Sequence, residues 1–264
     1  MDTLFSGSIP ELYDRHLGAW KFAPFAADVA RRLAMLAPAR LLELAAGTGR
    51  ATRALAASLP STAIVASDLN QPMLDYAAAH TRAPNVSWRA CDAQQLPFAD
   101  GEFDVVVCQF GAMFFPDKRR AFAEARRVLR DGGRFIFTVW DRIEENQTSE
   151  LVTEALAARF PDDPPRFLPR VPYACFDEAL IRRTLGEAGF ADVDAETVSV
   201  QTRTTASDVA IGFCQGCPLS SEIEARAPGT LAATTAAVTA ALAARLGEGA
   251  FDTKVQAIVF TARR

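Results

Sequence analysis

From Arg40 to Trp140 the chain alternates short, almost continuously apolar runs with segments that have the periodicity of amphipathic helices. Runs of this kind are typical of parallel strands buried on both faces, and parallel strands require crossover connections. The runs lie at 41–45, 62–68, 85–92, 103–110 and 134–140. We therefore expect an α/β fold with a doubly wound, mostly parallel sheet.

The pattern changes on both sides of this stretch. Phe22, Phe25, Val29 and Leu33 recur at helical spacing before it. After it come a charged and proline-rich segment at 141–175, a helix from Asp177 to Gly189, a strand at 193–204, a helical stretch at 205–247 and a last strand at 254–262. Ligands bind beyond the carboxyl ends of the strands in such sheets, so we expect the inserted segments to cover the site.

These boundaries predict a single domain over residues 1–264. We assign about 37–141, 176–204 and 251–264 to its core, and 1–24, 142–175 and 205–250 to lid segments.

The composition argues against several classes of protein. The net charge is −4, so the chain as a whole lacks the basic character of a nucleic-acid-binding protein. The uncharged stretch 227–244 is dominated by Ala and Thr, which predicts a helix rather than a membrane span. The start, MDTLFSGSIPELYD, has acids and a proline where a secretory signal needs a basic and then an apolar run. We therefore expect a cytoplasmic protein without a membrane span.

The cysteines give no sign of a metal site. There are five, and Cys214 and Cys217 form a CxxC pair. A structural metal site needs a second pair or nearby histidines, and the chain has only His16 and His80. We interpret the pair as buried thiols and expect no bound metal.

A glycine turn and two acids mark the candidate site. The stretch LLELAAGTGRATRAL at 41–55 places Gly47 and Gly49 between the first strand and a helix, and the next two strands end on Asp68 and Asp92. An acid after the second strand can accept hydrogen bonds from both hydroxyls of a ribose. An acid after the third can accept from an exocyclic amine such as that of adenine. The pattern indicates a nucleoside site.

A nicotinamide dinucleotide is the obvious rival ligand. Its GxGxxG fingerprint has three glycines, so that a diphosphate can rest on the helix N-terminus. Here Ala45 and Arg50 occupy the first and third of those positions, and Glu43 precedes the turn. An acid at that point suits an ammonium group better than a diphosphate. The turn therefore favours a nucleoside with a cationic tail over the cofactor of an NAD(P)-dependent reductase.

The stretch ELAAGTGRAT resembles motif I of the class I S-adenosylmethionine-dependent methyltransferases. Asp68, CDAQQLPF, FDVVVCQFGAMFFPD and EARRVLRDGGRFIFTVW are similar to the segments that follow in that family. The subgroup it most resembles is the ubiquinone/menaquinone-biosynthesis type, also described as methyltransferase type 11-like, over about residues 37–141. The resemblance implies a seven-stranded Rossmann-like sheet with an antiparallel last strand. It also implies methyl transfer from S-adenosyl-L-methionine to a small-molecule acceptor, with S-adenosyl-L-homocysteine as product.

The resemblance also assigns cofactor contacts. They are Glu43, Ala45, Ala46, Gly47 and Gly49 at the methionine end, Asp68, Leu69 and Met73 at the ribose and adenine, Asp92 and Ala93 at the adenine amine and ring, and Gln109 and Phe110 beside the sulfonium and methyl. The family's usual first glycine is Ala45 here.

Methyl transfer from a sulfonium needs in-line positioning and a dry pocket more than covalent help from the protein. Positioning alone lowers such barriers by roughly 7–11 kcal/mol in favourable intramolecular models. Phe110, Phe114, Phe115 and Trp140 could supply aromatic faces for a cation, although Phe114 and Phe115 could equally fill core.

If the acceptor needs deprotonation, His16 and Tyr13 are the catalytic candidates, because their segment often folds over the cofactor in this family. The alternatives that stay open are an NAD(P)-dependent reductase and a non-catalytic cofactor-binding module. Nucleic-acid and protein methyltransferases are disfavoured. The oligomeric state has no signal in the sequence, and a homodimer stays open.

Overall fold

The computed structural model describes residues 7–264, so the first six residues of the predicted lid segment 1–24 lie outside the described part. It contains a sheet whose strands are β1 Arg40–Glu43, β2 Ala63–Asp68, β3 Val86–Ala90, β4 Phe103–Gln109, β5 Leu129–Trp140, β6 Asp192–Thr205 and β7 Ala250–Arg263. The order in this seven-stranded sheet is β3-β2-β1-β4-β5-β7-β6. β1 to β5 pair in parallel, and β7 is antiparallel to both β5 and β6. The predicted fold class is confirmed.

Eleven α-helices in the described residues surround the sheet. They are α1 Ile9–Tyr13, α2 Ala23–Ala34, α3 Arg50–Ser58, α4 Gln71–Ala79, α5 Lys118–Val128, α6 Gln147–Arg159, α7 Phe167–Arg170, α8 Glu178–Glu187, α9 Ala206–Cys214, α10 Leu219–Arg226 and α11 Leu231–Leu246. A π-helical segment, Asp14–Phe22, joins α1 to α2, so that residues 9–34 form one continuous helical stretch, which we call the N-terminal helix.

Both faces of the sheet are covered by apolar side chains. On one face Leu33 of α2 and Leu55 of α3 belong to the same buried cluster as Leu41 and Val105 of the strands. On the other face Phe122 of α5 lies 5.6 Å from Phe135 of β5 between ring centroids. The near-continuous apolar strands of the sequence follow from this double coverage.

The strand order reverses beside β1, which lies between β2 and β4. Each of these strands runs parallel to its neighbours, so the carboxyl ends of β1, β2 and β4 open at the same edge of the sheet. A crevice at such a switch point is where open α/β sheets bind ligands. The fold thus brings the ends of the first four predicted strands to one place.

β5 is longer than the sequence pattern predicts. The predicted run begins at 134, whereas the strand begins at Leu129, and the pairing of β5 with β4 shifts between Phe103 and Val105. Gly132 takes a φ of 74° there, which glycine adopts without a steric penalty. The extra residues are thus accommodated as an irregularity of the strand.

The C-terminal insertion is helical as predicted. Thr230 and Gly247 flank α11 on either side. Among the described residues no single helix is long and apolar enough to cross a membrane, whereas one bent pair, α10 with α11, meets that criterion by length and composition alone. Cys214 and Cys217 are buried free thiols, in agreement with the prediction for this pair.

Candidate active site

A cavity of about 270 Å³ lies at the carboxyl ends of β1, β2 and β4. The residues predicted for the site line it with two exceptions, His16 and Gly49. Those that line it are Tyr13, Glu43, Ala45, Ala46, Gly47, Asp68, Leu69, Met73, Asp92, Ala93, Gln109 and Phe110. The structure thus brings together side chains that are up to 97 positions apart in the sequence, from Tyr13 to Phe110.

The turn after β1 is built from left-handed residues. Ala45, Gly47 and Gly49 have φ values of 53°, 56° and 78°. Gly47 donates its backbone N–H to Asp68 Oδ2 over 2.8 Å, and Gly49 is the N-cap residue of α3. Glycine takes this conformation freely, whereas the left-handed region costs an L-residue such as Ala45 about 1–2 kcal/mol.

Ala45 is matched by a glycine on the opposite side of the turn. A Cβ at Gly111 would overlap the Cβ of Ala45 and would lie 2.8 Å from Cys108 Sγ. Gly111 follows β4 and also lines the cavity. The methyl group at position 45 is therefore tolerated because position 111 has no side chain.

Glu43 is the most buried acid of the cavity. Its side chain is 1% exposed, and its Oε2 has no hydrogen-bond partner among the described residues. Burial, together with the nearby charge of Asp68, raises the pKa of Glu43 to about 8, and hydrogen bonding to Thr52 opposes that shift. A buried carboxyl in a low-dielectric site becomes anionic readily only when a cation approaches it. The ammonium group predicted for this position meets that requirement.

Asp68 and Asp92 are held by backbone groups of their own turns. Asp68 Oδ1 accepts the N–H of Asn70 over 2.8 Å, and Asp92 Oδ1 accepts the N–H of Gln94 over 2.8 Å. Burial raises the pKa of Asp68, and its hydrogen bonds to Asn70 and Gly47 oppose that shift. With the side-chain amides of Asn70 and Gln94 included, each carboxylate takes part in three hydrogen bonds, which leaves about one of its roughly four acceptor positions for a ligand's hydroxyl or amine.

Aromatic rings form one wall of the cavity. Phe110, with a φ of 55°, stacks on Trp140 with ring centroids 3.8 Å apart and planes 11° apart. The rings of Phe22 and Phe25 lie edge-on to Phe110 at 5.6 and 5.3 Å. A bulky residue in the left-handed region is a strained feature of the kind that clusters at functional sites. Phe114, also in the lining, packs against Phe167 of α7.

The N-terminal helix closes the cavity from above the turn. The carboxylate of Asp14 accepts hydrogen bonds from Arg50 over 2.9 Å, Arg53 over 3.2 Å and Thr48 Oγ1 over 3.1 Å. The amide of Gln109 donates to the backbone carbonyl of Phe22 over 3.1 Å. Asp14 is outside the cavity lining but fixes Arg50, which lines it, and this role was not predicted from the sequence. A single acid 36 positions before Arg50 gives no local signal of this pairing.

The two catalytic candidates lie in different surroundings. Tyr13 lines the cavity and stacks on Phe22 at 4.9 Å. Burial raises the pKa of Tyr13 well above its ordinary value, so its hydroxyl keeps its proton. His16 Nδ1 lies 2.9 Å from Asp208 Oδ1 of α9, and His16 is outside the cavity lining. The catalytic role of either residue stays a prediction.

The donor set of the cavity fits S-adenosylmethionine. The unpaired, buried Glu43 Oε2 matches an ammonium group, and Gln109 Oε1 is a second buried oxygen without a partner among the described residues. Asp68 and Asp92 end successive strands beside them, as a nucleoside requires. The fold and this donor set together have the arrangement expected of a nucleoside-binding α/β domain.

Comparison with known proteins identifies a methyltransferase domain within the chain. Residues 42–137 match the family model described as "Methyltransferase domain". This match and the relatives named below confirm, for this part of the chain, the resemblance to class I S-adenosyl-L-methionine-dependent methyltransferases of the ubiquinone/menaquinone-biosynthesis type.

Two relatives and one solved structure illustrate the similarity. The demethylmenaquinone methyltransferase of Thermus thermophilus is 41% identical over 102 residues, which are 38% of this chain and 46% of the relative. The ubiquinone/menaquinone biosynthesis C-methyltransferase UbiE of Methylobacterium nodulans is 36% identical over 148 residues, 54% of this chain and 55% of the relative. The chain thus spans about half the length of these relatives. The crystal structure of the YcgJ protein from Bacillus subtilis shares the fold, with a TM-score of 0.60, 19% identity, and coverage of 91% of this chain and 98% of that one.

Proposed function

We propose that this chain transfers a methyl group from S-adenosyl-L-methionine to a small-molecule acceptor by in-line displacement in a desolvated cavity. The observation that carries the proposal is Glu43, a fully buried carboxyl with an unpaired oxygen in the same cavity as Asp68 and the Phe110 wall. This combination offers an anion for an ammonium group, acceptors for a ribose, and aromatic faces for a sulfonium.

The chain's own residues bind, orient and exclude water. When bound, S-adenosylmethionine supplies an electrophilic methyl group on a positively charged sulfur. Glu43, after giving its proton to solvent, would hold the ammonium group, and Asp68 would accept a hydrogen bond from the ribose. Phe110 and Phe22 keep water from the reacting centre, where an aromatic face attracts a cation. Positioning of this kind is what a displacement without covalent catalysis requires.

The cavity also limits the chemistry of the acceptor. No histidine lines it within residues 7–264, and Tyr13 keeps its proton. We infer an acceptor that is nucleophilic without a histidine or tyrosine base from this chain, such as an amine, a carboxylate or an acidic phenol or enol. Gln109 Oε1, buried and unpaired in the described part of the chain, would accept a hydrogen bond from such a group.

The segments 142–175 and 205–250 are proposed as the lids that select the acceptor. Phe167 of the first packs on Phe114 of the cavity, and Asp208 of the second binds His16 of the N-terminal helix. The names of the two relatives, both enzymes of quinone biosynthesis, agree with a small-molecule acceptor. A cytoplasmic location and a homodimer stay predictions.

The reductase and the non-catalytic module can be distinguished from the proposed methyltransferase by ligand binding and by turnover. A reductase would need room for a diphosphate where Glu43 is buried and where Arg50 is fixed by Asp14. A non-catalytic module would bind S-adenosylmethionine and transfer no methyl group. The first differs from the proposal in its ligand, and the second differs only in activity.

The test is a thermal-shift titration with S-adenosylmethionine, S-adenosylhomocysteine and NADH in parallel. A ligand at 100 times its Kd stabilises the native state by about 2.7 kcal/mol, which raises the Tm of a chain of this size by roughly 5–10 °C. We expect that shift with the two adenosyl ligands and its loss in Asp68→Asn. Asp75→Asn on the exposed part of α4 is the matched control. Stabilisation by NADH alone would contradict the proposal.

Turnover is tested with labelled S-adenosylmethionine and a panel of amines, carboxylates and phenols. Label in an organic product from the wild-type protein, but not from Asp68→Asn, is expected. Adenosyl binding with no product from any acceptor class would favour the non-catalytic module.

A further inference from the structure

Lys21 occupies the apolar face of the N-terminal helix. It lies four residues after Leu17 and four before Phe25, and all three side chains are buried. Residues four apart share a helix face, so a lysine stands where the pattern favours an apolar side chain. Its side chain is 2% exposed. Lysines are almost never buried to this degree unless they are paired with an acid.

Three segments meet at the Lys21 amino group. Its Nζ is 2.8 Å from Tyr173 Oη and 3.5 Å from Ser149 Oγ, and these two hydroxyls are 2.6 Å apart. The Nζ also lies 3.9 Å from the centroid of the Trp140 ring. Trp140 ends β5, Ser149 belongs to α6, and Tyr173 follows α7. Lys21 therefore joins the N-terminal helix to the end of β5 and to the 142–175 segment.

No acidic side chain contacts this amino group in the described part of the chain. Its remaining neighbours are the rings of Trp20 and of Phe213 on α9, and Tyr173 is its one titratable contact. Burial lowers the pKa of Lys21 to about 7, and burial also raises the pKa of Tyr173, which keeps that phenol neutral. The buried amine therefore loses its proton far more readily than a hydrated lysine does.

The ring that covers Lys21 also supports the cavity wall. Trp140 stacks on Phe110 at 3.8 Å, and Phe110 lines the cavity. Phe22, the next residue after Lys21, lies 5.6 Å from Phe110 between ring centroids and lines the cavity as well. A displacement of the Lys21 contacts would therefore reach the wall directly.

We propose that Lys21 is a positioning residue that, in its neutral form, holds the 142–175 segment and Trp140 against the N-terminal helix. The aromatic wall of the cavity opens when Lys21 takes up a proton. This inference rests on the proposed function in one respect, which is that Phe110 belongs to a methyl-transfer site. The coupling between Lys21 and the wall is a property of the chain without cofactor.

The coupling has a defined sign and pH range. The pKa of Lys21 is about 7 in the closed arrangement and returns towards its ordinary 10.5 when opening hydrates it. Between these values opening takes up a proton, so the opening equilibrium constant falls about tenfold for each unit by which the pH rises. Below about pH 7 both arrangements carry the proton and the dependence ends.

Hydrogen exchange of the full-length protein measures this opening. The intrinsic exchange rate of an amide rises about tenfold per pH unit. If opening takes up one proton, the opening equilibrium constant falls about tenfold per pH unit, and the two effects cancel in the observed exchange rate. We therefore expect wild-type α6 amides to exchange at a nearly constant rate from pH 7.5 to 9.5. Amides of α5 that exchange through local opening without proton uptake by Lys21 should speed up about a hundredfold over that range.

Lys21→Met fills a similar volume without a titratable group. Its α6 amides should speed up with pH as the α5 amides do. The proposal is wrong if wild-type α6 follows α5, or if Lys21→Met keeps the flat profile. The wild-type comparison decides the matter even if the variant fails to fold. A failure here leaves cofactor binding untouched, because the thermal-shift titration tests that separately.

Discussion

The ionisation of Glu43 gives the most quantitative prediction about the proposed cofactor site. Its pKa of about 8 means that the free protein holds this carboxyl mostly protonated at neutral pH. Binding of an ammonium group requires the ionised form, because only the anion pairs with the cation. Affinity for S-adenosylhomocysteine should therefore depend on pH through this residue.

The magnitude follows from linkage. About 1% of Glu43 is ionised at pH 6 and about 10% at pH 7, given a pKa near 8. The Kd should therefore fall about tenfold from pH 6 to 7, which is about 1.4 kcal/mol, and should level off near pH 8. Close to one proton, about 0.9, should be released per ligand bound at pH 7.

Isothermal titration calorimetry in buffers of different ionisation enthalpy measures both the Kd and the released proton. Glu43→Gln removes the titration and keeps the shape of the side chain, so its Kd should be flat from pH 6 to 7.5 with no proton released. Glu248→Gln, at an exposed turn, is the matched control and should behave as wild type. A wild-type Kd independent of pH, or the same slope in Glu43→Gln, would refute the reasoning.

Three further predictions concern packing and charge. Gly111→Ala should lower the free energy of unfolding by about 1–3 kcal/mol, because the new methyl group overlaps that of Ala45. In a double-mutant cycle measured by urea denaturation, Ala45→Gly should restore part of that loss. Strictly additive effects of the two substitutions would contradict the packing. His16→Gln removes the imidazole that bonds to Asp208, so it should lower the free energy of unfolding by about 0.5–1.5 kcal/mol. The Kd for S-adenosylhomocysteine should stay within twofold of the wild-type value. A large rise in Kd would instead place His16 at the site. Lys21→Met should raise the free energy of unfolding at pH 7 by about 1–3 kcal/mol, because burial disfavours the protonated amine in the folded state. This gain should disappear as the pH approaches 10.5, where the unfolded chain also loses the proton. An equal gain at both pH values would show that protonation of Lys21 is not its cause.

Much of the site could be predicted because its elements follow local rules. Apolar runs indicate buried parallel strands, and the carboxyl ends of such strands meet at one edge, which places Glu43, Asp68 and Asp92 near each other. The glycines of the turn report its left-handed backbone directly. These signals need no knowledge of long-range contacts.

The remaining features depend on pairings that no local pattern encodes. Asp14 meets Arg50 across 36 positions, and Lys21 meets Tyr173 across 152. The role of Gly111 becomes visible only when the Ala45 methyl is placed opposite it. His16 has the residue type of a catalytic base, but its partner is on α9 rather than in the cavity. In each case tertiary packing, not residue type, decides the surroundings.

We propose that the cavity at the end of β1 binds S-adenosylmethionine through Glu43 and Asp68. Equilibrium dialysis of labelled S-adenosylmethionine against the wild-type chain, Glu43→Gln and Asp68→Asn measures this binding. We expect saturable binding of one ligand per chain, displaced by S-adenosylhomocysteine but not by NADH, and weakened at least about tenfold in both variants. Displacement by NADH, or wild-type affinity in both variants, would contradict it.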